Sequence, residues 1–320
     1  MKLDDWLIQV QTVGISGHIR PDGDCVGSTL GAYNYIRENY PSLDVELYLD
    51  SIQDVFTFLP RADEIKEQRG YHAPFDLYIS LDCADADRLG DSLKYFKTAK
   101  QTICIDHHIS NQSFADINVI EPTWSSASEV LYTLLDPEKV SKNTAMCLYT
   151  GIVHDSGVFQ YSSTSKQTMD IAGTLMTYGF DFTKIIDDTF YSKTHDQNRA
   201  MGFVVEKSEL YCGGKLIVGT MSMAEMAIYS VTSKDLDGIV NQLRITKGVE
   251  IAAFLYEIEG GYKASLRSNG CNVAEVAAKF GGGGHIRAAG CSLYGTKAEA
   301  IGALLPELQR VIEEECTTES

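Results

Sequence analysis

The 320-residue sequence predicts an α/β protein, in which an N-terminal, mostly parallel sheet flanked by helices precedes a smaller α+β domain. Three observations carry that expectation. Through the front half, short β-rich runs alternate with amphipathic stretches, the pattern of βαβ units. Those runs end in Asp or His rather than simply stopping, and ligands on such sheets bind beyond the carboxyl ends of the strands. After about residue 205 the pattern changes to paired strands followed by helices.

Taken in order, VGISG (13–17), VELYLD (45–50), DLYISLD (76–82) and QTICIDHH (101–108) are read as buried strands. Segments 26–38, 126–135, 143–154 and 166–178 are read as helices. The polar stretch from 187 to 205 is read as a connecting helix rather than a flexible linker. SELYCGGKLIVGTMS then suggests a hairpin, and GVEIAAFLYEIEGGYKASLRS another, turned at Glu259–Tyr262. Helices at 272–280 and 297–314 follow, with the final EEE read as a frayed acidic tail. The expected domains are therefore 1–187 and 206–320, joined by 188–205.

Composition narrows the function classes. Hydrophobic residues at 44% and charged residues at 22% are ordinary for a soluble globular chain. No apolar run approaches the roughly 18 residues of a membrane span. MKLDDWLIQVQTVG lacks the basic start and apolar core of a secretory signal. Eight cysteines are scattered singly with no CxxC pair, as in a reduced, cytoplasmic protein. The net charge of −17 argues against long duplex nucleic acid, which demands a basic face. Residues 1–190 carry 14 basic and 28 acidic side chains, whereas 191–320 carry 13 and 16. An acidic front half is either a solvated surface or a carboxylate-rich cation site.

The motifs favour the cation site. In GHIRPDGDCVGS (17–28), His18, Asp22 and Asp24 follow a strand, with Pro21 and Gly23 turning the chain between them. Asp24 as an ordinary helix N-cap explains one carboxylate, whereas metal ligation explains all three residues. In LDCADADR (81–88), Asp82 closes an apolar run, Asp85 and Asp87 read as loop residues, and Arg88 either neutralises them or contacts a substrate anion. IDHHIS (105–110) ends another strand, and adjacent residues on an extended chain point to opposite sides, so His107 and His108 need not share a role. Asp106 is positioned to accept from an imidazole N–H. Asp155 closes a helix in GIVHDSGVFQYSST (151–164), where His154 reads as packing or capping. His72 and His195 read as surface or packing residues, and Met221, Met223 and Met226 as core or an interdomain contact.

His18, Asp22, Asp24, Asp82, His107 and Asp155 together are too many for one tetrahedral zinc site and include no thiolate. Hard oxygens with a few imidazoles suit Mn²⁺ or Mg²⁺ before Fe²⁺ or Zn²⁺. A carboxylate shared by two ions about 3.5–4 Å apart is the arrangement that activates water for phosphoryl displacement. No P-loop, GxSxG or HExxH competes. In the second domain, SLRSNG (265–270) and FGGGGHIRAAG (280–290) offer Arg267, Ser268, Gly283, Gly284, His285 and Arg287 as anion contacts. Four glycines leave the backbone free to wrap a phosphate or nucleotide and expose N–H groups to it.

In this order these motifs resemble the DHH/DHHA1 phosphoesterase superfamily across nearly the whole chain. His18–Asp24 is similar to its HxxxDxD-type first motif, Asp82 to its second, Asp106-His107-His108 to the naming triplet, Asp155 to its fourth, and GGGGH (281–285) to the DHHA1 signature. The chain most resembles the short bacterial nano-RNases, oligoribonucleases that also remove the 3′-phosphate of 3′-phosphoadenosine 5′-phosphate. The resemblance implies an active site in the cleft between the two domains. It implies one Mn²⁺ on His18, Asp22 and Asp82, and a second on Asp24, Asp82, His107 and Asp155, with Asp82 bridging. His108 would then lie near the scissile phosphate, with Arg267, His285 and Arg287 holding a terminal phosphate or nucleotide.

The implied substrates are short single-stranded RNA, dinucleotides or adenosine bisphosphate, and dimers are common among such relatives. Tyr161 or Tyr191 could supply stacking, although any tyrosine is more often packing. Rival expectations keep the chemistry but change the substrate, to a cyclic dinucleotide or mainly adenosine bisphosphate. A different-class rival is a non-catalytic nucleotide sensor, which turnover with Mn²⁺ separates from the enzymes.

Overall fold

The β-branched runs that end in Asp or His do form the centre of the first half of the chain. In the computed structural model, which describes residues 2–67 and 74–315, the chain divides into two units, Met1–Ser192 and Lys193–Ser320. His72 lies outside the described residues.

The first unit is built on β1 (Thr12–Ser16), β2 (Asp44–Tyr48), β3 (Leu77–Leu81), β4 (Thr102–Asp106) and β5 (Ile117–Ile120). All pair in parallel, in the order β2-β1-β3-β4-β5. Successive strands run outward to β2 on one side of β1 and to β3 on the other, so the order reverses between β1 and β3. A ligand crevice forms at such a switch point, at the carboxyl ends of those strands. Strands β3 and β4 are buried at every position, which explains why they read as continuous apolar runs. Strand β5 was not expected: it is a four-residue edge strand, nowhere fully buried, and carries Asn118 in its middle.

Around the sheet lie α1 (Leu3–Trp6), α2 (Gly23–Asn39), α3 (Leu93–Thr98), α4 (Ala127–Leu134), α5 (Lys142–Asp155), α6 (Lys166–Met176) and α7 (Phe182–Ile186). Helix α2 is buried at every position from Gly23 to Ile36, as befits a helix covered on all sides. Its small residues meet α5: a Cβ on Gly27 would stand 2.6 Å from the Cys147 carbonyl oxygen and 2.7 Å from the Gly151 nitrogen. A single π-turn, Asp187–Tyr191, closes the unit.

A carboxylate pins the start of the sheet. Asp76 accepts from the backbone of Gln11 (2.8 Å) and Thr12 (3.1 Å) and from Lys100 Nζ (2.6 Å), while its own N–H donates to Thr12 Oγ1. Lys100 foremost, then the Gln11 amide, hold its carboxyl down from 3.8 to about 2. The unfolded chain therefore binds this proton more tightly than the folded one. The stabilisation is present above about pH 4 and is lost as pH falls through the folded value. Asp76→Asn is expected to lower the melting temperature at pH 6 and to flatten its decline between pH 4 and 2, read by thermal melts across that window. A variant that keeps the wild-type acid slope would assign that slope to other groups.

The second unit begins with α8 (His195–Glu206), so the polar stretch is partly helical, and His195 is exposed at its start. Strands β6 (Glu209–Tyr211), β7 (Leu216–Met221), β8 (Ile251–Ile258), β9 (Gly261–Ser268), β10 (Gly283–His285) and β11 (Ala288–Tyr294) form a sheet ordered β10-β11-β9-β8-β7-β6. Only β7 and β8 pair in parallel. Both expected hairpins are present, the second turning at Glu259–Gly260. Helices α9 (Met223–Ile228), α10 (Ile239–Arg244), α11 (Val273–Lys279) and α12 (Lys297–Glu315) complete it.

Alternation along β8 sends Ile251, Ala253 and Leu255 into a core shared with α11 and α12, and Ala252 and Phe254 into one shared with α8 and α10. Met221 and Met226 are buried in the latter core, whereas Met223 is exposed. The acidic tail corrects the sequence reading, because α12 continues through Glu315, whose carboxylate accepts from Asn272 N at 2.7 Å. The cysteine reading also needs correction. Cys25, Cys83, Cys104, Cys147, Cys212 and Cys291 are free thiols, but Cys271 is disulfide-bonded. Among the described residues no helix is long and apolar enough to cross a membrane.

Candidate metal centre

The loop after β1 begins at Gly17, where any Cβ would meet Cys25 Sγ at 2.2 Å. His18 Nδ1 donates to the Ile19 carbonyl at 2.8 Å, which turns Nε2 towards Asp82 Oδ2 (3.4 Å) and Asp22 Oδ2 (3.7 Å). Asp22, not Asp24, is the N-cap of α2: its Oδ1 accepts from Asp24 N and Cys25 N. Helix α2 consequently starts three residues before the expected Val26. Asp24 is buried and caps a different helix, accepting from Ala127 N (2.6 Å) and Ser128 N (3.1 Å) at the start of α4.

Asp82 stands at the centre. It is 2% exposed and adopts φ 54°, a left-handed conformation that costs a non-glycine residue on the order of 1–3 kcal/mol. The twist turns the carboxylate across the end of the sheet. Its Oδ1 lies 3.6 Å from His107 Nε2 and 3.5 Å from His108 Nδ1, and it is buried without a hydrogen-bond partner.

Because β4 ends at Asp106, strand alternation no longer applies to His107 and His108, and both rings reach Asp82. Their partners still differ. His107 Nδ1 donates to the Trp124 carbonyl (3.3 Å), and its Nε2 stands 3.1 Å from Asp155 Oδ2 at the end of α5. His108 Nδ1 donates to Asp106 Oδ1 at 2.8 Å, and Asn111 Nδ2 donates to Asp106 Oδ2 at 2.7 Å. Asn111 also reaches the Cys83 carbonyl, tying the loops after β3 and β4 together. Sequence reasoning missed Asn111 and the Trp124 carbonyl; an Asn three residues beyond a His pair was the available signal for the first. His154 packs as expected, edge-on between Phe56 and Phe190.

The carboxylates and imidazoles of the centre shift one another strongly. Burial, then the charge on Asp82, pushes the Asp24 carboxyl up to about 7, and burial raises Asp155 as well. Burial would also raise Asp82, but His107 and His18 hold it low and ionised. Burial works against charging His18, yet the Asp22 and Asp82 carboxylates lift it to about 10. His107 and His108 rise for like reasons, through Asp82 and Asp106 respectively. Four carboxylates, Asp22, Asp24, Asp82 and Asp155, thus crowd round His18 and His107, whose imidazoles they hold protonated.

Three sets of ligand atoms lie within coordinating reach of one another: His18, Cys25 and Asp82; Asp82, His107 and His108; and Asp24, His107 and Asp155. Asp82 joins the first two and His107 the last two. Cys25 is an addition, but burial and the charges on Asp82 and Asp22 keep its thiol protonated, which disfavours it as a ligand. The residues therefore fit hard divalent cations, on the orphaned Asp82 oxygen and the outward-facing Nε2 atoms.

Residues 12–152 match the N-terminal domain of the DHH family, and residues 213–314 match the DHHA1 domain. A bifunctional oligoribonuclease and PAP phosphatase of Thermus thermophilus is 30% identical over 286 residues, 88% of this chain and 84% of that protein. The chain belongs to the DHH/DHHA1 phosphoesterases. A protein of the same description from Bacillus subtilis is 27% identical over 88% of this chain and 90% of its own. The structure of an exopolyphosphatase-related protein from Bacteroides fragilis superposes with a TM-score of 0.90 at 26% identity, covering 97% of this chain and 96% of that one.

In the DHH unit, Arg88 is exposed, and its carbonyl accepts from Ile19 N at 2.7 Å, strapping its loop to the one that carries His18. In the DHHA1 unit the glycine run is not a loose loop. Gly283 and Gly284 belong to edge strand β10, and Gly282 and Gly284 are needed by the hairpin itself. A Cβ on Gly282 would lie 2.2 Å from the Gly290 oxygen, and one on Gly284 2.4 Å from the Ala288 oxygen. Gly283 faces open space. The β10–β11 turn leaves His285, Ile286 and Arg287 exposed, and Arg287 O accepts from Ser268 N at 3.0 Å beside Arg267. Ser268 itself is buried, its hydroxyl donating to the Cys271 carbonyl at 2.5 Å, so it shapes this turn rather than facing a ligand.

Proposed function

We propose that this DHH/DHHA1 phosphoesterase degrades short RNA, dinucleotides above all, to mononucleotides and removes the 3′-phosphate of 3′-phosphoadenosine 5′-phosphate. The observation that carries the reading is the buried, left-handed Asp82 with both oxygens turned to histidines of different loops. In the proposed arrangement His18, Asp22 and Asp82 hold one ion, and Asp24, Asp82, His107 and Asp155 hold another, Asp82 being common to both. Two divalent cations, Mn²⁺ first, supply Lewis acidity towards the phosphate and lower the pKa of the attacking water.

The protein's own groups do the rest. Carbonyls on the Nδ1 side of His18 and His107 fix which nitrogen is offered. Asp106 and Asn111 hold His108 in one orientation, from which its ring serves the scissile phosphate. The names of the relatives and the exposed His285–Arg287 turn support a nucleotide phosphate as the anion bound by the DHHA1 unit.

The test is a Mn²⁺ assay of 5′-phosphorylated RNA dinucleotides, a long RNA oligomer, 3′-phosphoadenosine 5′-phosphate and a cyclic dinucleotide side by side. Preference for the dinucleotide supports the reading; turnover of the cyclic compound alone overturns it. Binding without turnover of any of them would mark a sensor. Arg287→Ala is expected to raise KM for the dinucleotide roughly tenfold with kcat within about twofold, as for a group that binds ground and transition states alike. A lost kcat at unchanged KM would give Arg287 a different role.

A further inference from the structure

Directly after Asp155 the chain does something expensive. Gly157, Val158 and Phe159 adopt φ 57°, 54° and 64°, three consecutive left-handed residues, and a β-branched residue such as Val158 is a true outlier there. Hydrogen bonds from Val158 N to the Val153 carbonyl (2.8 Å) and from Phe159 N to Ser156 Oγ (3.0 Å) hold the turn against the end of α5. Val158 and Phe159 pack inward against the core. Tyr161, whose N–H donates to the Ser156 carbonyl at 3.0 Å, is left outside.

The tyrosine ring does not simply dangle. A Cβ on Gly157 would lie 2.4 Å from its Cζ, 2.5 Å from Cε1 and 2.7 Å from Cε2. Near-equal approach to both edges means that one ring face rests on the glycine backbone. The side chain is nevertheless 42% exposed, and it has no aromatic partner among the described residues. Tyr191, the other exposed tyrosine among the described residues of this unit, has its ring edge-on to Phe190 at 5.3 Å.

We infer that Tyr161 is a stacking platform for a nucleobase, seated on Gly157 and presented by the left-handed turn that begins two residues beyond the metal-site carboxylate Asp155. Every base has a π-face, so such a platform grips purines and pyrimidines alike and suits a substrate range of short oligomers. The inference rests on the nucleotide reading of the DHH centre and adds to it a site for the base, distinct from those for the metals and the phosphate. Strained backbone persists where the surroundings over-determine it, and here it seats an exposed ring on Gly157, in the turn that follows the helix ending at Asp155.

The test uses the whole chain with Mn²⁺ and compares calorimetric binding of adenosine 5′-monophosphate and of ribose 5-phosphate, which lacks the base. Wild type is expected to bind the nucleotide more tightly. Tyr161→Ala should weaken nucleotide binding about tenfold and leave ribose 5-phosphate within about twofold, while Tyr161→Phe retains the preference. Equal affinity of wild type for both probes overturns the platform, as does an equal loss of both in Tyr161→Ala. Hydrolysis of an RNA dinucleotide by wild type is measured in parallel. A base preference that depends on Tyr161, without dinucleotide hydrolysis, would leave the platform standing and sink the oligonucleotide reading alone.

Discussion

Asp82→Ala is expected to lower kcat by roughly a thousandfold or more, with the protein still folded. No other residue of the centre offers its two oxygens to three imidazoles, on the loops after β1 and β4. Its loss therefore removes the element common to both proposed ion positions, not one ligand among several. The fold should survive because the charge on Asp82 is a cause of the upward push on Asp24 and on Asp155, so the metal-free pocket loses repulsion along with attraction. Asp82→Asn sharpens the experiment, since asparagine tolerates the left-handed backbone and keeps the side chain's shape. Both variants should show reduced Mn²⁺ stoichiometry by titration and melt within a few degrees of wild type. Turnover equal to wild type by either one, in metal-defined buffer, would remove the two-ion centre from the mechanism.

The second large effect is on stability. Gly27→Ala should cost about 2–3 kcal/mol and lower the melting temperature of the DHH unit by roughly 5–10 °C. All three atoms that its Cβ would strike, the Cys147 oxygen and the Gly151 nitrogen and Cα, are backbone, at 2.6–2.8 Å. No rotamer change relieves such a contact, so α2 and α5 must part. Because α2 carries Asp24 and α5 ends at Asp155, Mn²⁺ affinity should fall with the melting temperature. Gly173→Ala is the control: it lies in α6 with nothing within 4 Å of the added Cβ, and there alanine should stabilise by about 0.5–1 kcal/mol. Equal melting temperatures for the two variants would show that the helices tolerate separation.

Much of this centre could be read before any coordinate was known, and the reason is local. A strand that ends in Asp or His exposes its chemistry at a position that topology makes a crevice, so His18, Asp82 and Asp106–His108 declare themselves within a few residues. What depends on distant neighbours did not. The choice between Asp22 and Asp24 as the cap of α2 is decided by α4, more than a hundred residues on. The left-handed turn of Asp82 leaves no mark in composition. The packing of Gly282 and Gly284 against β11 was not legible, because a close backbone approach has the same sequence signature whether the partner is a phosphate or a strand. Strand β5 went unseen because a short, half-buried edge strand carries little apolar signal.

The grip of Ala127 and Ser128 on Asp24 has a consequence for biosynthesis. As the chain leaves the ribosome, the aspartate emerges about a hundred residues before the helix end that will orient it. Asp155 is later still. Until α4 exists the Asp24 carboxylate has neither of the two amides that fix it, so its orientation is set only once both helices are made.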